Sequence, residues 1–387
     1  AIKEPNIVAV NTLGFFKNRI GDLTSSPYFG KNDGIYIKKE YYKTYQNKKD
    51  GIIRIKMLCN WCSSEQLCKE WSNMCEEGLH WKNIEITHED ENIDYYVIIN
   101  KPQEGAIYIP EKTIIFQMEP WVDDVSKNWG VKTWGEWSIP DEKKFLAVRG
   151  RKTKYHNNGF WQLELSLKDL ENINCENKLN SISSICSSKY FDAGHIHRID
   201  FLKFLEKKDD VPLDIFNKDN KHDFKNYRGI KTPYVDKSKG IVPYKYYFMV
   251  ENNNEKNFVT EKLWEPILCE SLVFYDGCPN ITDYIDAKAF VQLDMNNFEK
   301  SYQIIKKAIK EDWWSQRIDI IRKEKQKILN ELAFFPTLRK IIDMNYCIVV
   351  ARYNEDLEWT KQFSNVIVYN KGDKLMSDYN EILLKNV

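Results

Sequence analysis

Polar and charged residues that could bind an anionic ligand are concentrated between Tyr244 and Asp294. A run typical of a buried strand, YKYYFMV, ends in Glu251-Asn252, and a polar loop then leads to Thr260-Glu261-Lys262. Thr260 is a favourable helix N-cap, because its hydroxyl can accept from an unpaired backbone N–H group. The helix N-terminus attracts anions, and Lys262 adds a positive charge in the first turn.

The carboxylates at 251 and 261 could accept hydrogen bonds from ribose or sugar hydroxyls, so the segment suits a nucleotide-sugar diphosphate. The alternative interpretation is a capped, salt-bridged surface helix, since charged first turns are common.

Short apolar strands that alternate with helices would position these residues. Strands are predicted at 52–59, 94–99, 112–118, 144–148, 181–186, 244–250, 271–277 and 289–294. Helices are predicted at 65–78, 198–207 and 260–270, and a long helical region at 297–333. The predicted fold class is therefore α/β, with two Rossmann-like domains facing a cleft and a helical C-terminal section. Ligands of such open sheets bind beyond the carboxyl ends of the strands.

Composition excludes several classes of protein. Among 387 residues, Lys and Arg together number 57, as do Asp and Glu, so the net charge is zero. A general nucleic-acid binder would show a basic excess. No apolar run approaches the ~18 residues that a membrane span needs, and the first ten residues do not resemble a secretory signal. Because the chain starts at Ala1, we expect it to be a piece of a longer polypeptide.

The segment from Tyr247 to Val291 resembles the donor-binding motif of the α-1,3-fucosyltransferases, glycosyltransferase family 10. The signature of that family runs roughly F-x-x-x-F-E-N-S, a short spacer and Y-[IV]-T-E-K-[IL]. Here YFMVEN occupies 247–252 and FVTEKLW occupies 258–264, and the turn Gly277-Cys278-Pro279 also matches. The resemblance covers residues 180–335 well and 50–150 weakly.

The resemblance implies a GT-B fold with the active site in the cleft between two Rossmann-like domains. It implies an inverting enzyme that uses GDP-β-L-fucose and has neither a catalytic metal nor a cofactor. Lys262 matches the phosphate-binding lysine of the family, Glu261 its ribose-binding glutamate, and Asn252 the asparagine of its E-N pair. Phe258 stands where the family has Tyr. With Glu251 and Thr260, these residues form the predicted donor site.

Arg198 is a further donor-site candidate, because family members carry a phosphate-contacting arginine at this point. Arginine suits that role, since its planar fork can donate two hydrogen bonds to phosphate oxygens. We expect Arg198 to open the helix RIDFLKFLE; the alternative is a helix-start arginine paired with Asp200 or Glu206. The neighbouring histidines, 195 and 197, are interpreted as ordinary loop residues.

Inverting transfer also needs a general base for the acceptor hydroxyl. Glu119 is the predicted base, because it follows the strand TIIFQM and Pro120 ends that strand, which places the carboxylate at the tip. The base of the family is likewise a glutamate after a strand of the amino-terminal domain. Asp123 and Asp124 are the rival candidates.

The predicted domains are an unassigned extension at 1–50, an acceptor domain at 51–165 and a GDP-sugar donor domain at 166–340. Residues 341–387 are predicted to begin a further α/β domain, with strands at 345–353 and 365–372 and a helix at 356–363. This tail resembles an uncharacterised domain family found beside sugar transferases in some large-virus and fungal proteins. We therefore expect a viral or other soluble member, acting in the cytoplasm, in the host cytoplasm if viral.

Nine cysteines spread through the chain indicate reduced thiols rather than a disulfide framework. Four of them fall as C-x2-C-x5-C-x6-C from Cys59 to Cys75, which leaves a zinc or redox site as the minority interpretation. The basic run 149–154 is interpreted as a solvated linker, with an acceptor or phosphate contact as the alternative. Trp313-Trp314 is interpreted as core packing.

Three hypotheses remain open at the level of sequence. The first is a soluble inverting fucosyltransferase whose partners are GDP-fucose, a glycan acceptor and other transferase domains of a longer polypeptide. The second keeps the fold but changes the donor, for example to UDP-xylose. The third is a catalytically silent glycan- or nucleotide-binding module.

Overall fold

The computed structural model describes residues 51–119, 134–150, 159–173, 177–230 and 234–344, with five further short strands near the two chain ends. The chain divides into two compact units, Ile53–Thr337 and the combination of Ala1–Ile52 with Leu338–Val387. In the second unit, an antiparallel sheet has the order β2-β1-β3 and consists of β1 (Ala9–Asn11), β2 (Phe16–Lys17) and β3 (Ile35–Ile37). The rest of the predicted extension lies outside the described residues.

The first sheet of the larger unit, called the N-sheet, has the order β5-β6-β4-β7-β8-β9. Its strands are β4 (Ile53–Cys59), β5 (His80–Trp81), β6 (Ile84–Thr87), β7 (Tyr95–Ile99), β8 (Thr113–Phe116) and β9 (Ala147–Arg149). All neighbours are parallel except β5 and β6. The strands β4, β7 and β8 are rich in Ile, Val and Leu and almost wholly buried, as in a parallel sheet covered on both faces.

The second sheet, called the C-sheet, has the order β12-β11-β10-β13-β14-β15 and is parallel throughout. Its strands are β10 (Leu179–Ile185), β11 (Leu213–Asn217), β12 (Tyr227–Gly229), β13 (Tyr244–Val250), β14 (Leu272–Asp276) and β15 (Phe290–Gln292). Aromatic side chains fill its centre, where Tyr246 stacks on Phe274 with 5.5 Å between ring centroids.

The described helices connect and cover these sheets. They are α1 (Ser64–Trp71), α2 (Leu167–Glu171), α3 (Ala193–Lys208), α4 (Glu261–Leu268), α5 (Phe298–Lys310), α6 (Trp313–Lys327) and α7 (Phe334–Met344). A π-helical turn, Ile328–Leu332, joins α6 to α7. Short 3₁₀ turns lie at Ser72–Met74, Pro110–Lys112, Gly135–Ser138, Lys237–Gly240 and Ile281–Asp283.

Each sheet reverses its direction of strand addition at one point. In the N-sheet the chain adds β6 on one side of β4 and β7 on the other, and in the C-sheet β11 and β13 flank β10 in the same way. Loops leaving adjacent strands at such a point diverge to opposite faces and open a crevice at the carboxyl ends. The topology therefore places a ligand site at the loops after β4 and β7 and at those after β10 and β13.

The predicted α/β fold with two Rossmann-like sheets, GT-B-like in arrangement, is confirmed. The strand predicted at 244–250 matches β13, and the predicted strands near the carboxyl end are confirmed as a parallel pair, β16 (Ile348–Arg352) and β17 (Val366–Asn370). The helix predicted at 356–363 lies outside the described residues. The domain boundaries, and the interpretation of 341–387 as a new domain, stay predictions.

Four strands of the larger unit escaped prediction: β5, β6, β11 and β12. The first two form a tight turn of two- and four-residue strands, too short to show an alternating pattern, and β12 has exposed residues at the sheet edge. Among the described residues, no helix combines the length and apolar character that crossing a membrane requires.

Candidate active site

A cavity of about 450 Å³ lies where the carboxyl ends of the two sheets meet. The N-sheet half supplies the loop after β4, helix α1, and the ends of β7 and β8. The C-sheet half supplies the loop after β13 and the start of α4. The lining residues are Asn60, Trp61, Glu70, Trp71, Ile99, Asn100, Met118, Glu119, Trp134, Phe160, Gln162, Tyr234, Asn252, Phe258, Thr260, Glu261 and Lys262. Six of the eight predicted site residues are among them.

Glu251 holds the start of α4 in place from behind the cavity wall. Its fully buried carboxylate accepts from the Thr260 backbone N–H at 2.9 Å and from the Thr260 hydroxyl at 2.7 Å. The hydroxyl of Tyr275 donates to the same carboxylate at 3.4 Å. Thr260 in turn caps α4 by accepting from the backbone N–H of Lys262 at 3.3 Å, so the predicted N-cap is confirmed.

Lys262 and Glu261 form the charged face of α4 in the cavity. The Lys262 Nζ atom lies 3.0 Å from Glu261 Oε1 and 3.9 Å from Glu251 Oε2. Burial acts to lower the pKa of Lys262, but the two carboxylates outweigh it and the net pKa is raised. Burial likewise opposes the charge of Glu261, yet the Lys262 and Lys237 ammonium groups lower its pKa. Both side chains are therefore charged at neutral pH, and the lysine is a preorganised cation.

Arg198 does not line the cavity. Its guanidinium is buried and donates from Nε to the Val250 carbonyl at 3.2 Å and from Nη2 to Asn252 Oδ1 at 3.1 Å. The prediction that Arg198 opens its helix is wrong, because α3 already begins at Ala193. The side chain therefore packs against the end of β13, where it orients Asn252; a direct contact with donor phosphates stays a prediction.

Two glycines allow this close packing around Glu251. A Cβ atom on Gly194, in the first turn of α3, would lie 1.9 Å from the Glu251 carbonyl oxygen. A Cβ atom on Gly277 would lie 2.5 Å from Glu251 Cγ. Either methyl group would collide, so only glycine lets α3 and the turn after β14 approach the end of β13. The matched G-x-P turn thus has a steric reason.

Glu119 enters the cavity from the N-sheet, just after β8. Its backbone N–H donates to Gln117 Oε1 at 3.3 Å, and Gln117 is anchored through its amide to the Trp137 carbonyl at 2.5 Å. The side chain is exposed to the open cavity, but protein surrounds that space. Desolvation raises the pKa of the Glu119 carboxyl, and the nearby Lys262 acts against this rise. A carboxylate with a raised pKa suits a general base. The rival candidates, Asp123 and Asp124, lie outside the described residues.

Sequence reasoning missed the polar residues on the N-sheet side. Asn60 and Asn100 directly follow β4 and β7, the adjacent strands at which the N-sheet reverses its direction of strand addition. Trp61 lines the cavity with them, and 49% of its surface is exposed. Asparagine immediately after two adjacent predicted strands was the available signal.

Residues between the two sheets close another wall of the cavity. Gln162 and Tyr234 are linked by a backbone hydrogen bond of 2.9 Å, and Glu265 of α4 accepts from the Gln162 N–H at 2.7 Å. The buried ammonium of Lys237 neutralises Glu265 at 2.5 Å. Helix α4 therefore fixes this wall as well as the charged face.

The remaining candidates have structural surroundings. His195 is buried against Phe191, with 4.9 Å between ring centroids, and burial lowers its pKa to about 4, so it is neutral at pH 7. The Trp314 indole donates to the Glu270 carbonyl at 2.7 Å, in keeping with a packing role. Of the basic run, Arg149 ends β9, and residues 151–154 lie outside the described part of the chain.

Residues 175–312 match the family model described as glycosyltransferase family 10 (fucosyltransferase), C-terminal domain. The match spans the C-sheet from β10 to β15, with α3, α4 and α5. It confirms the prediction that the chain is a glycosyltransferase with a fucosyltransferase-type domain. No curated protein matches the sequence significantly.

Several solved structures are similar to this chain. An α1,3-fucosyltransferase crystal structure is 15% identical, with 73% of this chain and 91% of that chain covered at a TM-score of 0.42. An α-glucosyltransferase, in complex with UDP and a 13-mer DNA, is 10% identical, with 76% and 100% covered at a TM-score of 0.44. A glycosyltransferase from Rickettsia africae ESF-5 is 12% identical, with 76% and 98% covered at a TM-score of 0.41.

Proposed function

We propose that this protein transfers L-fucose from GDP-fucose to a hydroxyl of a glycan acceptor, with inversion and without a metal ion. The observation that carries the proposal is one cavity that holds a carboxylate from the N-sheet, Glu119, and a cation from the C-sheet, Lys262. The family match over the C-sheet supports a fucosyl donor.

In the proposed reaction, Glu119 accepts a proton and Lys262 stabilises negative charge on the leaving group. Glu119 takes the proton of the acceptor hydroxyl as that oxygen attacks the anomeric carbon. The bond between that carbon and the diphosphate oxygen breaks on the opposite face, which inverts the anomeric configuration. Negative charge grows on the departing GDP, where Lys262 and the start of α4 stabilise it.

Recognition of the nucleotide is assigned to the same helix start. The Glu261 carboxylate is charged and partly exposed in the cavity, so it can accept hydrogen bonds from the ribose hydroxyls. Asn252, held by Arg198, presents its amide beside it. Glu251 and Arg198 then act as positioning residues, since both are buried and already hydrogen-bonded within the protein.

Two further parts of the proposal concern environment. The seven cysteines that the structure describes are all free thiols, which supports action in a reducing compartment such as the cytoplasm. Metal independence rests on the presence of Lys262 and the helix terminus, which can carry the charge of the leaving group. Activity should therefore survive EDTA.

The test is a thermal-shift panel of GDP, UDP, CMP and their sugar conjugates, followed by transfer assays on a glycan array. GDP and GDP-fucose should each raise the melting temperature by several degrees at about 100 Kd, because binding there stabilises the native state by about 2.7 kcal/mol. Lys262→Ala should lose most of that shift, whereas the exposed-surface control Lys307→Ala should keep it. Stabilisation by uridine nucleotides alone would overturn the donor, and loss of transfer in EDTA would overturn metal independence.

A further inference from the structure

Two cysteine thiols face each other beside the cavity. Cys59 is the last residue of β4, and Cys62 directly precedes Ser63, the N-cap of α1. Their Sγ atoms lie 3.4 Å apart, and Cys59 Sγ also lies 3.5 Å from the Cys62 carbonyl oxygen. A disulfide needs an S–S distance of about 2.05 Å, so bonding requires the two sulfur atoms to approach by roughly 1.4 Å.

The two residues between these thiols belong to the cavity wall. Asn60 and Trp61 both line the cavity, and Trp61 is half exposed there. Asn60 Oδ1 is buried and has no hydrogen-bond partner in the part of the chain that the structure describes. Any covalent change at the thiols therefore acts on the loop that forms one side of the binding site.

We propose that Cys59 and Cys62 are a redox-active dithiol that closes into a disulfide and clamps the loop carrying Asn60 and Trp61. The carboxyl-terminal end of this loop is already held in the reduced protein. Gln103 donates to the Cys62 carbonyl at 3.1 Å, and Ser64 Oγ donates to the Met57 carbonyl. Oxidation would thus stiffen a loop whose ends are fixed. The proposal does not depend on which sugar the enzyme transfers.

The closing step balances with a low-molecular-weight disulfide, such as oxidised glutathione, as the oxidant. Cys62 is the more accessible thiol, and its thiolate attacks one sulfur of the external disulfide and releases one thiol. The Cys59 thiolate then displaces the second thiol from the mixed disulfide. Two protein thiols are oxidised, one external disulfide is reduced to two thiols, and the two protons pass to them.

The surroundings set the speed of this exchange. Burial, together with the hydrogen bond and charge of Cys59, raises the pKa of Cys62 to about 12. Because only the thiolate attacks, oxidation should be slow at neutral pH. As long as the pH is below that pKa, the rate of oxidation should rise about tenfold for each unit by which the pH increases. The pair therefore fits a slow response to a sustained oxidising shift rather than a fast catalytic cycle.

The test is equilibration of the full chain in glutathione buffers of increasing oxidising strength, followed by alkylation and peptide mapping. Wild type should lose about 2 Da and two alkylatable thiols, with a linked Cys59–Cys62 peptide appearing at a single midpoint. Cys62→Ser should lose the linked peptide. Cys75→Ala removes a buried thiol from the same region and should retain the linked peptide.

Tryptophan fluorescence reports the effect on the loop. Oxidation should change the emission of wild type, and the change should disappear in Trp61→Phe. GDP binding to the reduced and oxidised forms should agree within about twofold, because the disulfide does not touch α4. Three results would each overturn the proposal: Cys59 and Cys62 that both remain open to alkylation throughout the oxidising range, a persistent glutathione adduct on Cys62, or a disulfide between Cys62 and Cys68. Failure of GDP to bind the reduced chain would instead count against the proposed function alone.

Discussion

The polar groups on the two sides of the cavity differ in whether they have hydrogen-bond partners within the protein. At the C-sheet, Glu251, Arg198 and Lys262 are held by hydrogen bonds and ion pairs to groups of the same half. At the N-sheet, Asn60 Oδ1 and Trp134 Nε1 are buried without a hydrogen-bond partner among the described residues. The C-sheet half also has buried polar atoms without a partner among the described residues, but none belongs to a residue that lines the cavity: they include atoms of Ser183, Ser184, His195 and Trp264.

This difference separates two kinds of binding surface. A buried polar atom without a partner costs about 1–3 kcal/mol, so the N-sheet side gains when water or a ligand satisfies those atoms. On the C-sheet side, the described residues that line the cavity have no such atom, and their contribution is a fixed field: one cation and a helix terminus held in place before any ligand arrives. We therefore assign the reaction-specific contacts to the N-sheet and nucleotide binding to the C-sheet.

The largest expected effect tests that assignment at Glu119. Replacing Glu119 by Gln removes the proposed base but keeps the shape of the side chain, so kcat should fall by about 10²- to 10⁴-fold. GDP affinity should stay within about twofold of wild type, since no C-sheet contact changes. Initial rates of transfer and calorimetric titration with GDP measure the two quantities.

The pH profile of wild type sharpens the same test. If Glu119 is the base, it must be deprotonated, and because burial raises its pKa, activity should fall as the pH drops through a value above the 4.5 of an ordinary glutamate. Glu261→Gln removes a negative charge that raises the Glu119 pKa, and should move this acid limb to lower pH. Turnover of Glu119→Gln at the wild-type rate would return the role of base to another residue.

Lys262→Ala addresses the C-sheet half and ranks second. It removes the cation proposed to bind the diphosphate, so GDP binding should weaken by roughly 10²-fold, about 2.8 kcal/mol. It also leaves the buried Glu251 and Glu261 carboxylates uncompensated, which should lower the free energy of unfolding by about 3 kcal/mol. Because Lys262 lowers the pKa of Glu119, the acid limb of the residual activity should also move to higher pH. Calorimetry and a kcat profile against pH check both results.

Lys307→Ala, on the exposed face of α5, serves as the control for that variant. A loss of transfer in Lys262→Ala with unchanged GDP affinity would contradict the division between the two sheets.

The sequence predicted the C-sheet half far better than the N-sheet half, for physical reasons. Thr260-Glu261-Lys262 act through a helix start, and the N-cap, first-turn charge and preceding strand are all local in sequence. Strand β13 was found at its observed limits because five consecutive apolar and aromatic residues, 246–250, leave a clear signal, and all five are buried. Features of this kind can be predicted without the tertiary structure, because they depend only on residues that are close in sequence.

Long-range contacts decided what could not be predicted. Gly194 has no local signal, since its importance lies in close packing against the carbonyl of Glu251, 57 positions away, which a Cβ atom at residue 194 would prevent. The roles of Arg198 and Glu251 changed for the same reason: both look available in sequence, but tertiary packing uses their hydrogen bonds inside the protein. Helix α3 starts five residues before the predicted position, and its first turn packs closely against the end of β13.

The smallest expected effect concerns Asn100, which holds the end of β8 and so places Glu119. Asn100 has a φ of 61°, a left-handed conformation that asparagine tolerates better than most residues. Its Oδ1 accepts from the Met118 backbone N–H at 2.7 Å, one residue before the base. Asn100→Ala removes that bond and keeps the strained backbone, so kcat should fall by about tenfold, the equivalent of about 1.4 kcal/mol, with KM nearly unchanged.

Two companion variants separate the hydrogen bond from the backbone conformation. Asn100→Gly relieves the strain without restoring the bond, so it should remain as slow as the alanine variant. Asn100→Asp keeps an acceptor oxygen and should recover kcat at high pH, while its added negative charge moves the acid limb of the profile upward. A glycine variant as fast as wild type would show that the hydrogen bond does not position Glu119. In that case the protein would not fix the position of the proposed base, Glu119, and the bound acceptor would orient its carboxylate.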